Sequence, residues 1–299
     1  VGEEGAGREE QEFAQVRQTP PGFGGGAAQG AGVRRQQAPA ALEGPAGLNI
    51  FPNVPVRPGR ALFRRLSSSS MSGRENAVVV GATGGIGAEV AAALAERYAL
   101  WLVGRDETAL KECAETLPDA HCWTVDLADS DIPDNPPELS SVDVLVHCAG
   151  VFQLGSVSET DPTAWRELFA VNLFGVAGLT QSLLPGLRAA RGRVILVNST
   201  AALGPPANRV AYAASKTALR VFAEALHREE LPNGVRVTSI YPGRVATPMQ
   251  QTVRRMEGGR YEPERYLNPG SVADAVRSVL AAPGDTHLTE LVIEPEWRP

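Results

Sequence analysis

The run Ala77-Val78-Val79-Val80 leads directly into Gly81-Ala82-Thr83-Gly84-Gly85-Ile86-Gly87, and a helical pattern follows to about Arg97. No other feature restricts the fold of this chain as strongly. A short, wholly apolar run reads as a buried strand. The glycines after it permit a tight turn and let the backbone approach a pyrophosphate. They also lead into a helix whose N-terminus offers free N–H groups and a positive dipole end. A lone glycine-rich turn is a weak signal, and its position between strand and helix strengthens it.

The alternation continues downstream. The patterns predict strands at Leu100 to Val103, Cys122 to Val125, Asp143 to Val146, Val194 to Val197, Arg236 to Ile240 and Leu291 to Ile293. Helices are expected from about Asp106 to Leu117, after Thr160-Asp161-Pro162, over Ala211 to Leu231, and from about Ser271 to Ala281. Asp161 can cap its helix, and Pro162 suits a first turn. Strands alternating with helices of this length predict an α/β fold. The expectation is a single Rossmann-type, doubly wound parallel sheet of about seven strands with helices on both faces. Ligands of such sheets bind at the carboxyl ends of the strands.

This pattern covers 73–299, the expected dinucleotide-binding and catalytic domain. Residues 1–72 differ: Pro20-Pro21, Gly24-Gly25-Gly26, Gln36-Gln37 and Ser67 to Ser70 are low-complexity runs. Such a segment buries too little apolar area to offset its ordering entropy, so a disordered extension is expected. Arg57 to Ser70 resembles part of an organellar transit sequence. Glutamates at 3, 4, 9, 10 and 12 argue against that, and no apolar core supports secretion. Met71 is the expected natural start. An interaction arm through Arg64-Arg65 is the alternative use of this segment.

The composition narrows the function classes. A net charge of -6 makes a nucleic-acid partner a poor fit. The reading finds no uncharged apolar run of the roughly 18 residues a membrane helix needs, so no membrane partner is expected. Cys113, Cys122 and Cys148 match no metal-ligand spacing and read as free thiols in a reducing, cytoplasmic compartment. His121, His147, His227 and His287 form no H-x-x-x-H pair, so no metal is expected.

Two further motifs carry chemistry. The second strand ends Val103-Gly104-Arg105. Folds that bind NAD usually place an acid there for the ribose 2′-hydroxyl. Gly104 removes it, and Arg105 supplies a fork of donors for a 2′-phosphate, which points to NADP(H). The plainer reading of Arg105 is a surface residue at a helix start. In Tyr212-Ala213-Ala214-Ser215-Lys216, the i, i+4 spacing sets Tyr212 and Lys216 on one helix face. An ammonium nearby favours a phenolate, which suits proton exchange with a carbonyl oxygen. Ser199, thirteen residues before Tyr212, could hold that oxygen. Singly, each of these residues is equally a helix or loop side chain.

In order and spacing together, these motifs resemble the short-chain dehydrogenase/reductase family in its Tyr-x-x-x-Lys form, over about residues 74–299. The family's T-G-x-x-x-G-x-G is Val80 to Gly87 here, with Val80 in place of threonine. Its N-N-A-G is His147-Cys148-Ala149-Gly150. Asp126-Leu127 is similar to the adenine-contacting acid and its neighbour. Asn172 is similar to the helix-kink asparagine of a proton relay, and Tyr241 to Thr247 to the P-G-x-V-x-T segment along the nicotinamide.

The resemblance implies Asn172, Ser199, Tyr212 and Lys216 as catalytic residues. Tyr212 would be the acid–base, and Lys216 would lower its pKa and hold the nicotinamide ribose. It implies cofactor contacts from Gly81, Thr83, Gly84, Gly85, Ile86, Gly87, Arg105, Asp126, Leu127, Ala149, Gly150, Tyr212, Lys216, Pro242, Gly243, Val245 and Thr247. The expected reaction is hydride transfer between NADP(H) and a small-molecule carbonyl or secondary alcohol, in the reducing direction. A homodimer or homotetramer through the helices bearing Asn172 and Tyr212 is also implied. A non-catalytic NADP(H)-binding regulator is the alternative of another class, but such relatives typically lack the Tyr or the Lys. The segment Met249 to Leu267 carries Arg254, Arg255, Arg260 and Arg265 and would cover the substrate. It fits an anionic substrate such as a 3-hydroxy acid, and equally a solvated amphipathic helix over an apolar ketone or aldehyde.

Overall fold

Seven strands form one sheet in the order β3-β2-β1-β4-β5-β6-β7, and every neighbouring pair is parallel. The strands are β1 Glu75–Val80, β2 Tyr98–Gly104, β3 Ala120–Thr124, β4 Val144–His147, β5 Arg193–Val197, β6 Arg236–Pro242 and β7 Glu290–Ile293. The helices are α1 Gly85–Leu94, α2 Glu107–Glu115, α3 Pro162–Phe169, α4 Gly175–Ala190, α5 Val210–Glu230, α6 Pro248–Met256 and α7 Pro269–Ala281. The computed structural model describes residues 73–129, 132 and 139–296. The expectations for residues 1–72 lie outside the described residues.

The side-chain period of two divides each strand between two cores. Ala77, Val79, Leu100, Leu102, Val144, Val146 and Ile195 face the layer of α1, α2 and α7, meeting Val90, Leu94, Leu110, Val272 and Val276. Val78, Val80, Trp101, Val103, Leu145, Val194 and Leu196 face α4 and α5, meeting Leu179, Leu183, Leu187, Leu219 and Leu226. The sheet is thus covered on both faces, as the Rossmann-type expectation requires.

Some boundaries move for physical reasons. β2 begins at Tyr98 rather than Leu100, because it pairs with the whole of β1 from Glu75↔Tyr98 onward. α1 correspondingly ends at Leu94. Asp161 caps α3 through Thr163 N at 2.7 Å, with Pro162 in the first turn, as expected. The helix after it is interrupted by a π-helical turn, Ala170–Phe174, before α4. Taken together, Pro162–Ala190 is long and apolar enough by composition to cross a membrane. The reading of uninterrupted apolar runs missed this, because Asn172 and Thr180 break the run. In the fold, Leu179, Leu183 and Leu187 of this helix fill the core at 0% exposure.

The order of strands reverses direction between β1 and β4. Beyond the carboxyl ends there, the connections leave a crevice, the usual ligand position for such a sheet.

Candidate active site

The glycine turn is built by close contacts that side chains would block. Gly81 has φ +79° and donates to Val103 O at 2.7 Å. A Cβ on it would sit 2.7 Å from Ala149 N. A Cβ on Gly87 would sit 2.0 Å from Gly81 O, so α1 can lie against the turn only with glycine there. α1 has no side-chain cap and no acid in its first turn. Its N-terminal N–H groups and positive dipole end are therefore offered to an anion.

A cavity of about 410 Å³ lies over this turn. Of the residues expected at the cofactor, Gly81, Thr83, Gly84, Gly85, Ile86, Gly87, Arg105, Asp126, Leu127, Ala149, Gly150 and Thr247 all line it. Arg105 is exposed at its edge, and no hydrogen bond or ion pair engages its guanidinium among the described residues. The neighbouring acid, Asp106, is committed to capping α2 through Ala109 N at 3.0 Å. Asp126 accepts from Ala128 N at 2.9 Å, which fixes its carboxylate at the wall. The donor set suits a dinucleotide carrying a 2′-phosphate, with an uncapped helix end for the diphosphate and a free guanidinium for the extra phosphate.

Pro242, Gly243 and Val245 were expected along the same cavity and do not line it. Pro242 pairs with Ile293 of β7, and the α-carbon of Gly243 faces Pro295. Val245 is buried and bridges to Leu267. Pro248 and Met249 line the wall instead. The available signal was Thr247-Pro248, a cap followed by a first-turn proline: Thr247 Oγ1 accepts from Gln250 N at 3.2 Å and starts α6 there.

Asn172, Ser199, Tyr212 and Lys216 do not line the cavity; Asn172 and Lys216 lie directly behind Gly150, which does. Asn172 sits in the π-helical turn at 0% exposure. Its amide clamps the Val151 backbone, accepting from N at 2.9 Å and donating to O at 3.0 Å. It also donates to Ser215 Oγ at 3.0 Å, and Ser215 donates to Tyr212 O at 2.8 Å. The π turn thereby ties the loop after β4 to the helix carrying Tyr212 and Lys216. Ser199 follows β5, and its Oγ accepts from Ala201 N at 3.2 Å.

Lys216 is 4% exposed, and its Nζ donates to Val197 O at 3.3 Å. Burial pulls its pKa down to about 8, against a small opposing effect of Cys148. Nζ lies 3.5 Å from where a Cβ on Gly150 would stand, so the ammonium borders the cofactor cavity. Tyr212 is half-buried, and burial raises its pKa above the ordinary 10.0. A side-chain hydrogen bond from Ser199 and the charge of Arg209 pull the other way without winning. Among neighbouring charges, that of Arg209 favours the phenolate.

His147 and Cys148 stand where the family pattern has asparagines. His147 Nε2 pairs with Thr180 Oγ1 at 3.0 Å, and burial, with Lys216 adding to it, pulls its pKa down to about 3. It is a neutral tie between sheet and α4. Burial pushes the Cys148 thiol up to about 12, so it is an inert wall residue. All three cysteines are free, as expected.

The residue reading missed a charged cluster. Arg209 ion-pairs with Glu257, as do Arg244 at 3.0 Å and Arg254 at 2.5 Å. The Arg209 guanidinium lies 5.7 Å from the centre of the Phe152 ring, whose edge meets Tyr212 at 4.9 Å between centroids. Arg209 stands immediately before α5, three residues ahead of Tyr212, and this nearness in the chain is the sequence signal that could have found it.

The chain has known relatives. Residues 75–258 match the family model described as short chain dehydrogenase. An uncharacterised oxidoreductase of Staphylococcus epidermidis is 31% identical over 229 residues, covering 73% of this chain and 96% of that protein. Dehydrogenase/reductase SDR family member 7B of Rattus norvegicus is 33% identical over 221 residues, covering 67% and 68%. Among solved structures, the alcohol dehydrogenase of the archaeon Thermococcus sibiricus, complexed with 5-hydroxy-NADP, superposes with TM-score 0.66 at 26% identity. That match covers 76% of this chain and 99% of the other. A variant of actinorhodin polyketide ketoreductase with NADPH gives 0.65 at 28% identity, covering 74% and 96%. The glycine turn, the parallel sheet that carries it and a match across most of the described residues agree: this chain belongs to the short-chain dehydrogenase/reductase family of oxidoreductases.

Proposed function

We propose that residues 73–299 form an NADP(H)-dependent oxidoreductase that reduces a small-molecule carbonyl, with Tyr212 as the proton donor. One observation carries this reading. A single cavity begins at the glycine turn and Arg105 and ends at Gly150, against which the Lys216 ammonium lies. Anion-binding groups thus line this crevice, and the Lys216 ammonium borders it.

NADPH, when bound, supplies the hydride. The chain does the rest. The α1 N-terminus and the glycine turn would hold the diphosphate, and Arg105 the 2′-phosphate. Lys216, charged below about pH 8, would hold the ribose beside Gly150. Ser199 Oγ, which accepts from Ala201 N and hydrogen-bonds the Tyr212 side chain, would orient the substrate oxygen beside Tyr212. Tyr212, kept protonated by burial, gives its proton to that oxygen as charge develops on it. Asn172 holds Val151 and Ser215 in place rather than meeting substrate.

The complete set of Asn172, Ser199, Tyr212 and Lys216 favours an enzyme over a non-catalytic regulator. Phe174 and Val221 are 63% and 61% exposed, which supports pairing of two copies through the helices that carry Asn172 and Tyr212, as a homodimer or homotetramer. A cytoplasmic location accords with three free thiols.

The test is a titration with NADPH and NADH followed by tryptophan quenching, for wild type and Arg105→Ala. NADPH should bind at least about tenfold tighter, a gap of about 1.4 kcal/mol, and Arg105→Ala should close it. Equal binding of the two cofactors would overturn the NADP(H) assignment. Binding of neither would overturn the enzyme reading.

A further inference from the structure

We propose that Arg209 and Arg244, gathered on Glu257, are the seat for a carboxylate of the substrate, so that the enzyme acts on acidic carbonyl compounds. The inference rests on the oxidoreductase reading above and names its substrate class. Three connections at the carboxyl ends of the sheet converge here. Phe152 follows β4, Arg209 closes the connection from β5 to α5, and Arg244, Arg254 and Glu257 follow β6. Phe152 packs against both Arg209 and Tyr212, which sets the cluster beside the Tyr212 ring.

The charges do not balance. Three guanidiniums meet one carboxylate, leaving a surplus of two positive charges. Arg244 makes both its Nη bonds to Glu257, at 3.0 and 3.1 Å, and the bonds from Arg209 and Arg254 complete the carboxylate's acceptor sites. A carboxylate buried only for the fold's sake needs one or two such partners. Glu262, whose charge also acts on Arg254, is itself paired with Arg265 at 2.9 Å. Arg255 and Arg260 are exposed on the same segment and add to the positive field. Side-chain exposures of 17%, 24% and 26% for Arg209, Arg244 and Arg254 mean that water screens this surplus only in part. A guanidinium has five N–H donors, and most of those on Arg209 and Arg244 are not taken up by Glu257. They match a carboxylate in both charge and geometry.

Position completes the argument. The Phe152 ring touches both the Arg209 guanidinium and the Tyr212 ring, and the Arg209 charge acts on the Tyr212 phenol. A molecule whose carbonyl oxygen rests on Tyr212 and Ser199 reaches the arginines if its acid group lies a few bonds away. The structure also sorts the arginines of the covering segment: Arg265 is spent on Glu262, whereas Arg254 belongs to the cluster.

The test uses butanoate and its uncharged counterpart butanamide as probes. Each is titrated calorimetrically into the full-length protein, with and without saturating NADPH. Wild type should bind butanoate at least tenfold more tightly than butanamide. Arg209→Gln and Arg244→Gln should each reduce that preference to under threefold, and Glu257→Gln should keep or widen it, since it removes a competing anion. Equal binding of the two probes to wild type, or a tenfold preference kept in both arginine variants, would overturn the proposal. Thermal unfolding checks that each variant folds; if Arg209→Gln does not, Arg244→Gln decides. Tryptophan quenching by NADPH is recorded in the same samples. A protein that binds NADPH without a carboxylate preference loses this inference and keeps the oxidoreductase reading. One that binds no NADPH loses that reading, and the titration without NADPH still decides this one.

Discussion

Glu257→Gln tests the charge balance beside Tyr212 by a route that needs no substrate. Burial opposes ionisation of Glu257, but hydrogen bonds from Arg244 and Arg254 and the charges of Arg244 and Arg209 outweigh it and hold the pKa at about 2, against an ordinary 4.5. A carboxyl depressed in the folded state contributes stability that is fully present above its unfolded pKa. That contribution is lost as pH falls from about 4.5 through about 2. At about 1.4 kcal/mol per pH unit, it amounts to roughly 3 kcal/mol at neutral pH, and roughly half of that survives at about pH 3. Glutamine keeps the shape and one acceptor oxygen but cannot titrate. Urea unfolding of wild type and variant, followed by tryptophan fluorescence between about pH 7 and pH 3, measures the difference. Loss of packing or of a neutral hydrogen bond would be the same at every pH. The expected signature is therefore a stability gap that narrows by roughly 2 kcal/mol between pH 7 and pH 3. A gap of constant size would show that the three arginines do not hold the carboxylate ionised, and the reasoning would fail.

Three further outcomes follow from the site. Lys216→Met should raise stability by about 1–3 kcal/mol at pH 7, because a buried ammonium with a pKa near 8 costs the fold what an apolar side chain does not. The gain should vanish as pH rises from about 8 to 10.5, and a loss of stability in urea at neutral pH would contradict it. Gly87→Ala places a methyl group 2.0 Å from the Gly81 carbonyl oxygen, so a destabilisation of about 2 kcal/mol or more and loss of NADPH quenching are expected; normal quenching and an unchanged unfolding midpoint would refute the close approach. Tyr212→Phe should lower kcat/KM for carbonyl reduction by about 10²–10⁴-fold, with the Kd for NADPH within about threefold of wild type; an unaltered rate would remove Tyr212 from the proton step.

The layers of this fold are written locally, which is why they are legible in the chain. Leu100, Leu102, Trp101 and Val103 alternate between two cores because a strand has only two faces, and an apolar run with no polar face can only be covered twice. Asp161-Pro162 marks a helix start whatever the tertiary context. Less legible is what depends on a distant partner. The resemblance at Asn172 implied a helix kink, but its π form, and the reach of Asn172 to both Val151 and Ser215 at sequence distances of 21 and 43, are not written in the local pattern. Pro242 and Gly243 read as cofactor contacts from their neighbours in the chain. In the structure Pro242 pairs with Ile293 of β7, and the α-carbon of Gly243 faces Pro295.

The electrostatics of the site illustrate the same limit more sharply. The i, i+4 spacing of Tyr212 and Lys216 is correct as helix geometry, yet shared face does not mean shared direction. Lys216 reaches back to Val197 O and along Gly150, toward the cavity that would hold the ribose, so its charge serves the cofactor side. The charge that acts on the phenol comes from Arg209, which is held in place by Glu257, 48 residues further on. The proposed proton donor thus has the charge of Arg209 acting on it, and the proposed cofactor anchor lies along Gly150. Removing Arg209 should therefore raise the Tyr212 pKa further and leave NADPH affinity intact. Removing Lys216 should weaken NADPH binding with little effect on the phenol. A pH profile of carbonyl reduction in Arg209→Gln, set beside an NADPH titration of Lys216→Met, separates the two roles, and the same defect in both variants would mean that the two cations act as one.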